Sequence, residues 1–170
     1  MTIRGLHHNA YRCRDSEETR RFYEDFLGLP LAEAFEINET KSGRKTRVLH
    51  SFYQMGDGSF LAFFEAPGQP FEFKQQHDFD LHIALEVDEA TLTAMFAKGK
   101  ASGIDTRGIA DHGFLHSIYF RDPNGYVIEL TAKMPGHDTA MDRATNGARA
   151  KLDRWQTAKA GQPSLEGRPE

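Results

Sequence analysis

Apolar and polar positions along the chain fall into a pattern that occurs twice. Leu6-His7-His8-Asn9-Ala10-Tyr11-Arg12 and Asp80-Leu81-His82-Ile83-Ala84-Leu85-Glu86 align with His8 on His82 and Ala10 on Ala84. Each reads as a strand, in which side chains two apart share a face. A helical pattern follows each strand. Asp15-Ser16-Glu17-Glu18 supplies an N-cap with a Glu three residues on, Phe22 and Phe26 mark one face, and Gly28 is a stop. In the second copy Asp88 or Glu89 opens a helix with Leu92, Met95 and Phe96 on its core face; Gly99 weakens it and Gly103 ends it. Paired strand-like runs come next, residues 47–55 and 59–64 about Gly56-Asp57-Gly58, and residues 116–120 and 126–131 about Arg121-Asp122-Pro123-Asn124-Gly125. Both connections carry hairpin-turn chemistry, Asp57-Gly58 matching Asn124-Gly125. The expected fold is α+β: two tandem βαβββ modules, about 3–68 and 80–133, within a single domain, 1–133. Pro67-Gly68-Gln69-Pro70 opens the linker, 69–79.

After Lys133 the pattern changes. Met134-Pro135-Gly136 breaks the strand, and an Ala-, Arg-, Lys- and Asp-rich stretch predicts a helical extension over 134–160. Met141, Ala144, Ala148, Leu152 and Trp155 recur at three- and four-residue spacing, an apolar stripe that needs a surface to cover it, on its own domain or on another subunit. Residues 161–170 are polar with Gly and Pro, the composition of a disordered tail.

Composition narrows the function. Of 170 residues, 21 are Lys or Arg and 25 are Asp or Glu, a net charge of -4 without the basic excess that nucleic acid binding requires. The single Cys13 leaves no partner for an internal disulfide or a Cys-based zinc site and reads as a small buried hydrophobe. No apolar run is long enough to span a membrane and no signal-like apolar region opens the chain, so a cytoplasmic protein is expected. Thirteen Phe and eight His are the unusual counts.

The histidines give the candidate chemistry. A strand His is ordinarily a satisfied core or surface residue, but His8 and His82 occupy the same place in a duplicated unit. Glu129, between Ile128 and Leu130, is costly to bury unless paired, with Arg12 for example, or bound to a metal. If both modules curve around one cavity, His8, His82 and Glu129 make a two-histidine, one-carboxylate set that suits Fe(II) and leaves sites free for substrate and oxygen.

With these residues in order, the chain resembles the vicinal oxygen chelate superfamily over nearly all of 3–133. The resemblance is carried by Leu6-His7-His8, by residues 19–23 (Thr-Arg-Arg-Phe-Tyr) with Leu27-Gly28-Leu29-Pro30, by Leu81-His82-Ile83-Ala84, and by the run from Tyr119 to Glu129. Members include glyoxalase I, extradiol dioxygenases, methylmalonyl-CoA epimerase and fosfomycin- and bleomycin-resistance proteins. The resemblance implies that the modules form one curved eight-stranded mixed sheet around a metal cavity, with His8, His82 and Glu129 as ligands of a divalent metal, Fe(II) first, and Mn, Zn, Ni or Co as the other candidates. Matching Gly58 to Gly125 sets Ala62 opposite Glu129, so the carboxylate often supplied by the first module is missing unless Glu65 takes its place. His112, Ile118-Tyr119, Asp122-Pro123, Gly125 and Glu129 follow the extradiol signature, with Ala110 departing from its opening position. This implies Tyr119 as the residue that binds a substrate hydroxyl and His112 as its pocket neighbour. The further acid/base histidine of such enzymes has no clean match, His50 and His77 being the candidates; His7, His116 and His137 have no assigned role. The expectation is an extradiol-type dioxygenase acting on a catechol-like small molecule, as a homodimer. The rivals are a glyoxalase- or epimerase-like enzyme with Ni, Zn or Co, and a non-catalytic small-molecule binder.

Overall fold

The computed structural model describes residues 2–160. Among the described residues there are eight strands and four α-helices, of which the strands and the first two helices follow one another in duplicated order. The first module comprises β1 (Tyr11–Cys13), α1 (Ser16–Arg20), β2 (Leu31–Glu39), β3 (Lys45–Gln54) and β4 (Phe60–Glu65). The second comprises β5 (His82–Glu86), α2 (Glu89–Ala101), β6 (Thr106–Asp111), β7 (Leu115–Arg121) and β8 (Val127–Lys133). The sheets have equivalent orders, β1-β4-β3-β2 and β5-β8-β7-β6, with the first strand of each parallel to the last. The eight strands form two four-stranded sheets, where one continuous sheet was expected. β2 and β6 are the outer strands, exposed along most of their length.

The first helix is capped twice. Asp15 accepts from the Glu18 amide at 2.8 Å, and the Glu65 carboxylate accepts from the Ser16 amide at 2.7 Å. The helix then widens into a π-helical segment, Arg21–Phe26, whose Phe22 carbonyl accepts from Leu27 N at 2.9 Å. Phe22, Tyr23 and Phe26 are all buried there against Tyr53, Leu61 and Phe63. In α2, Asp88 caps the Thr91 amide at 2.6 Å. Gly99 persists inside this helix for a packing reason: a Cβ at that position would run into Thr106 and lie 2.6 Å from Phe120 Cε1.

One apolar cluster joins the modules, with Phe26 edge-on to Phe120 at 5.2 Å and Tyr11 against Tyr126 at 5.0 Å. A polar knot reinforces it. Buried Asp122 accepts from Tyr23 Oη at 2.9 Å and from the amides of Asn124 and Tyr126, while Asn124 Oδ1 accepts from Arg14 N at 2.8 Å. The linker docks on the same turn, its Lys74 amide donating to Asn124 O at 2.8 Å. Gly125, at φ 96°, is the residue the turn needs, because Lys74 backbone occupies the space of a Cβ. Cys13 is buried in the core, and desolvation pushes its thiol up to about 11.

The C-terminal extension is helical in two pieces, α3 (His137–Met141) and α4 (Ala148–Ala160), rather than one. Neither buries a residue. The expected disordered tail, 161–170, lies outside the described residues. Among the described residues no helix is long and apolar enough to cross a membrane.

Candidate metal centre

Strand register determines which side chains can meet. In the second sheet Ile118, Phe120, Ile128 and Leu130 join the buried core, so Tyr119 and Glu129 point to the opposite face. Tyr119 is paired directly with Glu129, and Ala84 on β5 pairs with Glu129 from the other side. His82, two residues before Ala84, shares that face.

The four side chains form a chain of contacts. His82 Nε2 lies 3.2 Å from Glu129 Oε2, and Tyr119 Oη donates to Glu129 Oε1 at 3.3 Å. His112 Nε2 is 3.0 Å from the same Tyr119 hydroxyl. Burial, then the Glu129 carboxylate, raises the Tyr119 hydroxyl pKa above its ordinary value, so it stays protonated near neutrality. Glu129 is 7 % exposed, whereas His82 is open to solvent. Among the described residues no Lys or Arg pairs with Glu129.

Two further residues, missed in the sequence, hold this group in place. His82 Nδ1 can only donate to the Asp78 carbonyl, 2.6 Å away, which turns Nε2 toward Glu129. The Asp78 carboxylate holds Arg107 at 2.8 Å, and that guanidinium lies over the Tyr119 ring, 5.4 Å from its centroid. Asp78 lies in the linker and Arg107 on an outer strand, so neither carried a periodic signal.

His8 lies elsewhere, on the first sheet. It bridges Phe60 outside the named strands, its Nδ1 is 2.8 Å from His7 Nδ1, and its ring packs on Phe52 at 5.4 Å. The face around it is aromatic. Phe35, His50, Phe52, Phe60 and Phe64 gather there, with His50 stacked on Phe64 at 3.7 Å. His50 Nδ1 donates to the Phe63 carbonyl at 3.0 Å, and burial lowers the ring's pKa. His77 sits in the turn before β5, its Nδ1 accepting from Phe79 N at 3.2 Å. Ala62 faces the aromatic side, whereas Glu65 faces α1 and is occupied in capping it.

The chain thus unites His82, Glu129, Tyr119 and His112 but not His8; among the described residues no three His, Cys, Asp or Glu side chains gather into a ligand set. The pair it does build fits a divalent metal. An imidazole nitrogen and a carboxylate oxygen are suitable donors, the His82 ring is oriented by its carbonyl partner, and a buried carboxylate with no Lys or Arg partner among the described residues gains from a cation.

Relatives share this architecture. A probable lactoylglutathione lyase of Vibrio cholerae serotype O1 is 28% identical over 141 residues, 81% of this chain and 96% of that protein. The metallothiol transferase FosB of Shouchella clausii is 26% identical over 134 residues, 75% of this chain and 80% of its own. The fosfomycin resistance protein FosX of Listeria monocytogenes, solved with Mn(II) and sulfate, superposes with a TM-score of 0.59 at 18% identity, covering 81% of this chain and 99% of FosX. The family described as the Glyoxalase/Bleomycin resistance protein/Dioxygenase superfamily matches residues 5–130, and to that superfamily the chain belongs.

Proposed function

We propose that the protein is a divalent-metal enzyme acting on a small molecule with two adjacent oxygens, and that its reaction is an extradiol-type ring-opening oxygenation. The observation that carries this reading is the convergence of His82, Glu129, Tyr119 and His112 on one open sheet face. His82 and Glu129 supply two ligands. His8, exposed on the first sheet, supplies the third from a second copy of the chain, which makes the working enzyme a homodimer. When bound, the metal would lower the pKa of a chelating substrate hydroxyl and hold it for reaction. Tyr119 Oη binds that oxygen or its neighbour, and His112 Nε2 exchanges a proton with the phenol at 3.0 Å. Asp78 and Arg107 orient this pair, and the rings around His8 form a wall that excludes water. Fe(II) suits the reaction; Mn(II), present in the FosX structure, is the second candidate.

A second reading, a metal-dependent lyase or thiol transferase, is favoured by the names of the sequence relatives. Against a mechanism needing a first-module carboxylate stand Ala62 and the capping role of Glu65. Protein purified without chelator should contain stoichiometric divalent metal, and His8→Ala, His82→Ala and Glu129→Ala should each lose it. Anaerobic loading with Fe(II) should then give oxygen uptake with catechols, reduced at least tenfold in Tyr119→Phe. Metal without oxygen uptake, together with turnover of a glutathione hemithioacetal or of an epoxide plus thiol, would transfer the assignment to the second reading. Absence of metal and of any metal-induced thermal shift would make the protein a non-catalytic binder.

A further inference from the structure

Two features have no place in the chemistry above. The first is a cavity of about 860 Å³ between the modules. Leu29 and Met55 line it from the first module, and Ile83, Leu85 and Met95 from the second. Its mouth carries Asp57, Glu86, Asp88 and Glu89 against a single cation, Lys133, a local charge of -3. The second feature is α4, which buries none of its side chains although Leu152 is 49 % exposed and Trp155 is 66 % exposed on one stripe. Arg149, Lys151, Arg154 and Lys159 against Asp153 give the helix a charge of +3. Among the described residues only Arg149 of these cations has a carboxylate partner, Asp153 at 3.0 Å.

We propose that this groove receives α4 of a second copy of the chain, reciprocally, so that two helices are exchanged across a two-fold axis. Three observations converge on that occupant. The helix carries an apolar stripe with cations beside it, and the groove carries an apolar floor with carboxylates at its mouth. Within one chain neither the helix stripe nor the groove floor is covered, and among the described residues Glu89 has no cation partner although Glu86 pairs with Lys133 and Asp88 caps α2. The whole chain has a net charge of -4, so self-association needs a local inversion of charge, and α4 provides it. Thirteen helical residues span about 20 Å, and a symmetric pair of such contacts doubles the area buried by one. Lys133 ends β8 at the mouth of the groove, so the segment leading to α4 leaves from the edge of the surface that takes the partner's helix. The inference does not depend on the metal chemistry.

Trp155, the sole tryptophan, reports the outcome directly. The full chain is followed by sedimentation and tryptophan emission over a dilution series. A dimer with blue-shifted, quencher-protected emission that turns red as the dimer dissociates is the expected result. Leu152→Asp on the exposed helix face and Glu89→Lys at the groove mouth should each raise the midpoint concentration at least tenfold, with far-UV circular dichroism unchanged. Three results would overturn the proposal: exposed-indole emission in every species, shielded emission from a sedimenting monomer, which places α4 on its own chain, or a shielded dimer indifferent to Glu89→Lys.

Discussion

The histidines illustrate how differently one residue type behaves according to its neighbours. His82 turns Nε2 toward Glu129 because a carbonyl takes Nδ1, and it stays open to solvent. His50 is held in the same way by the Phe63 carbonyl but is covered by Phe64 and Phe52, so burial lowers its pKa. A histidine kept neutral in the fold takes up its proton more readily in the unfolded chain, whose value is about 6.5. The stability His50 provides is therefore complete above about pH 6.5 and is lost as pH falls below it. Melting temperature followed against pH should decline on the acid side, and His50→Gln should show a smaller decline than the parent chain. The grouping of His82, Glu129, Tyr119 and His112 was legible in the sequence because strand alternation and one motif placed them together. Asp78 and Arg107 were not, since a linker turn and a cross-strand partner leave no periodic trace.

At the level of elements, the starts and turns were written plainly and the interiors less so. Asp15 and Asp88 cap the helices that the sequence predicts, and both hairpins form where Gly56-Asp57-Gly58 and Asn124-Gly125 predict them. The π-helical segment Arg21–Phe26 was not legible, because its i to i+5 bonding answers to the packing of three aromatic side chains rather than to a repeat. β2 was not legible as an individual strand because it is largely exposed and lacks a buried face to impose alternation. The break between α3 and α4 was hidden by an apolar spacing that ran through it. Gly99 shows packing overriding propensity. Alanine is the better helix former by about 1 kcal/mol, yet its Cβ would press on Thr106 and Phe120. Gly99→Ala should lower stability by about 1–3 kcal/mol in urea unfolding.

At the scale of the whole molecule, the modules are repeats in sequence but not independent bodies. Tyr23 from the first reaches Asp122 in the second, and Phe26 packs on Phe120. Removing the Tyr23 hydroxyl leaves a buried carboxylate one donor short, so Tyr23→Phe should cost about 1–2 kcal/mol. That loss should appear in a single transition, coincident by near- and far-UV circular dichroism; two separated transitions would show that each module folds alone. The duplication was readable throughout, whereas the division into two sheets follows from which strand edges hydrogen-bond, and that is a property of tertiary assembly. The two sheet faces have also become unlike. The first is a field of aromatic rings around His8, and the second holds the acid, the phenol and the paired imidazole. Two copies of one sequence pattern thus present different chemistry. Exchange of one ring for another in the first copy would reshape the aromatic face without breaking the contacts among Asp78, His82, Glu129 and Tyr119, so under the proposed function the range of accepted molecules can change while these groups stay in place.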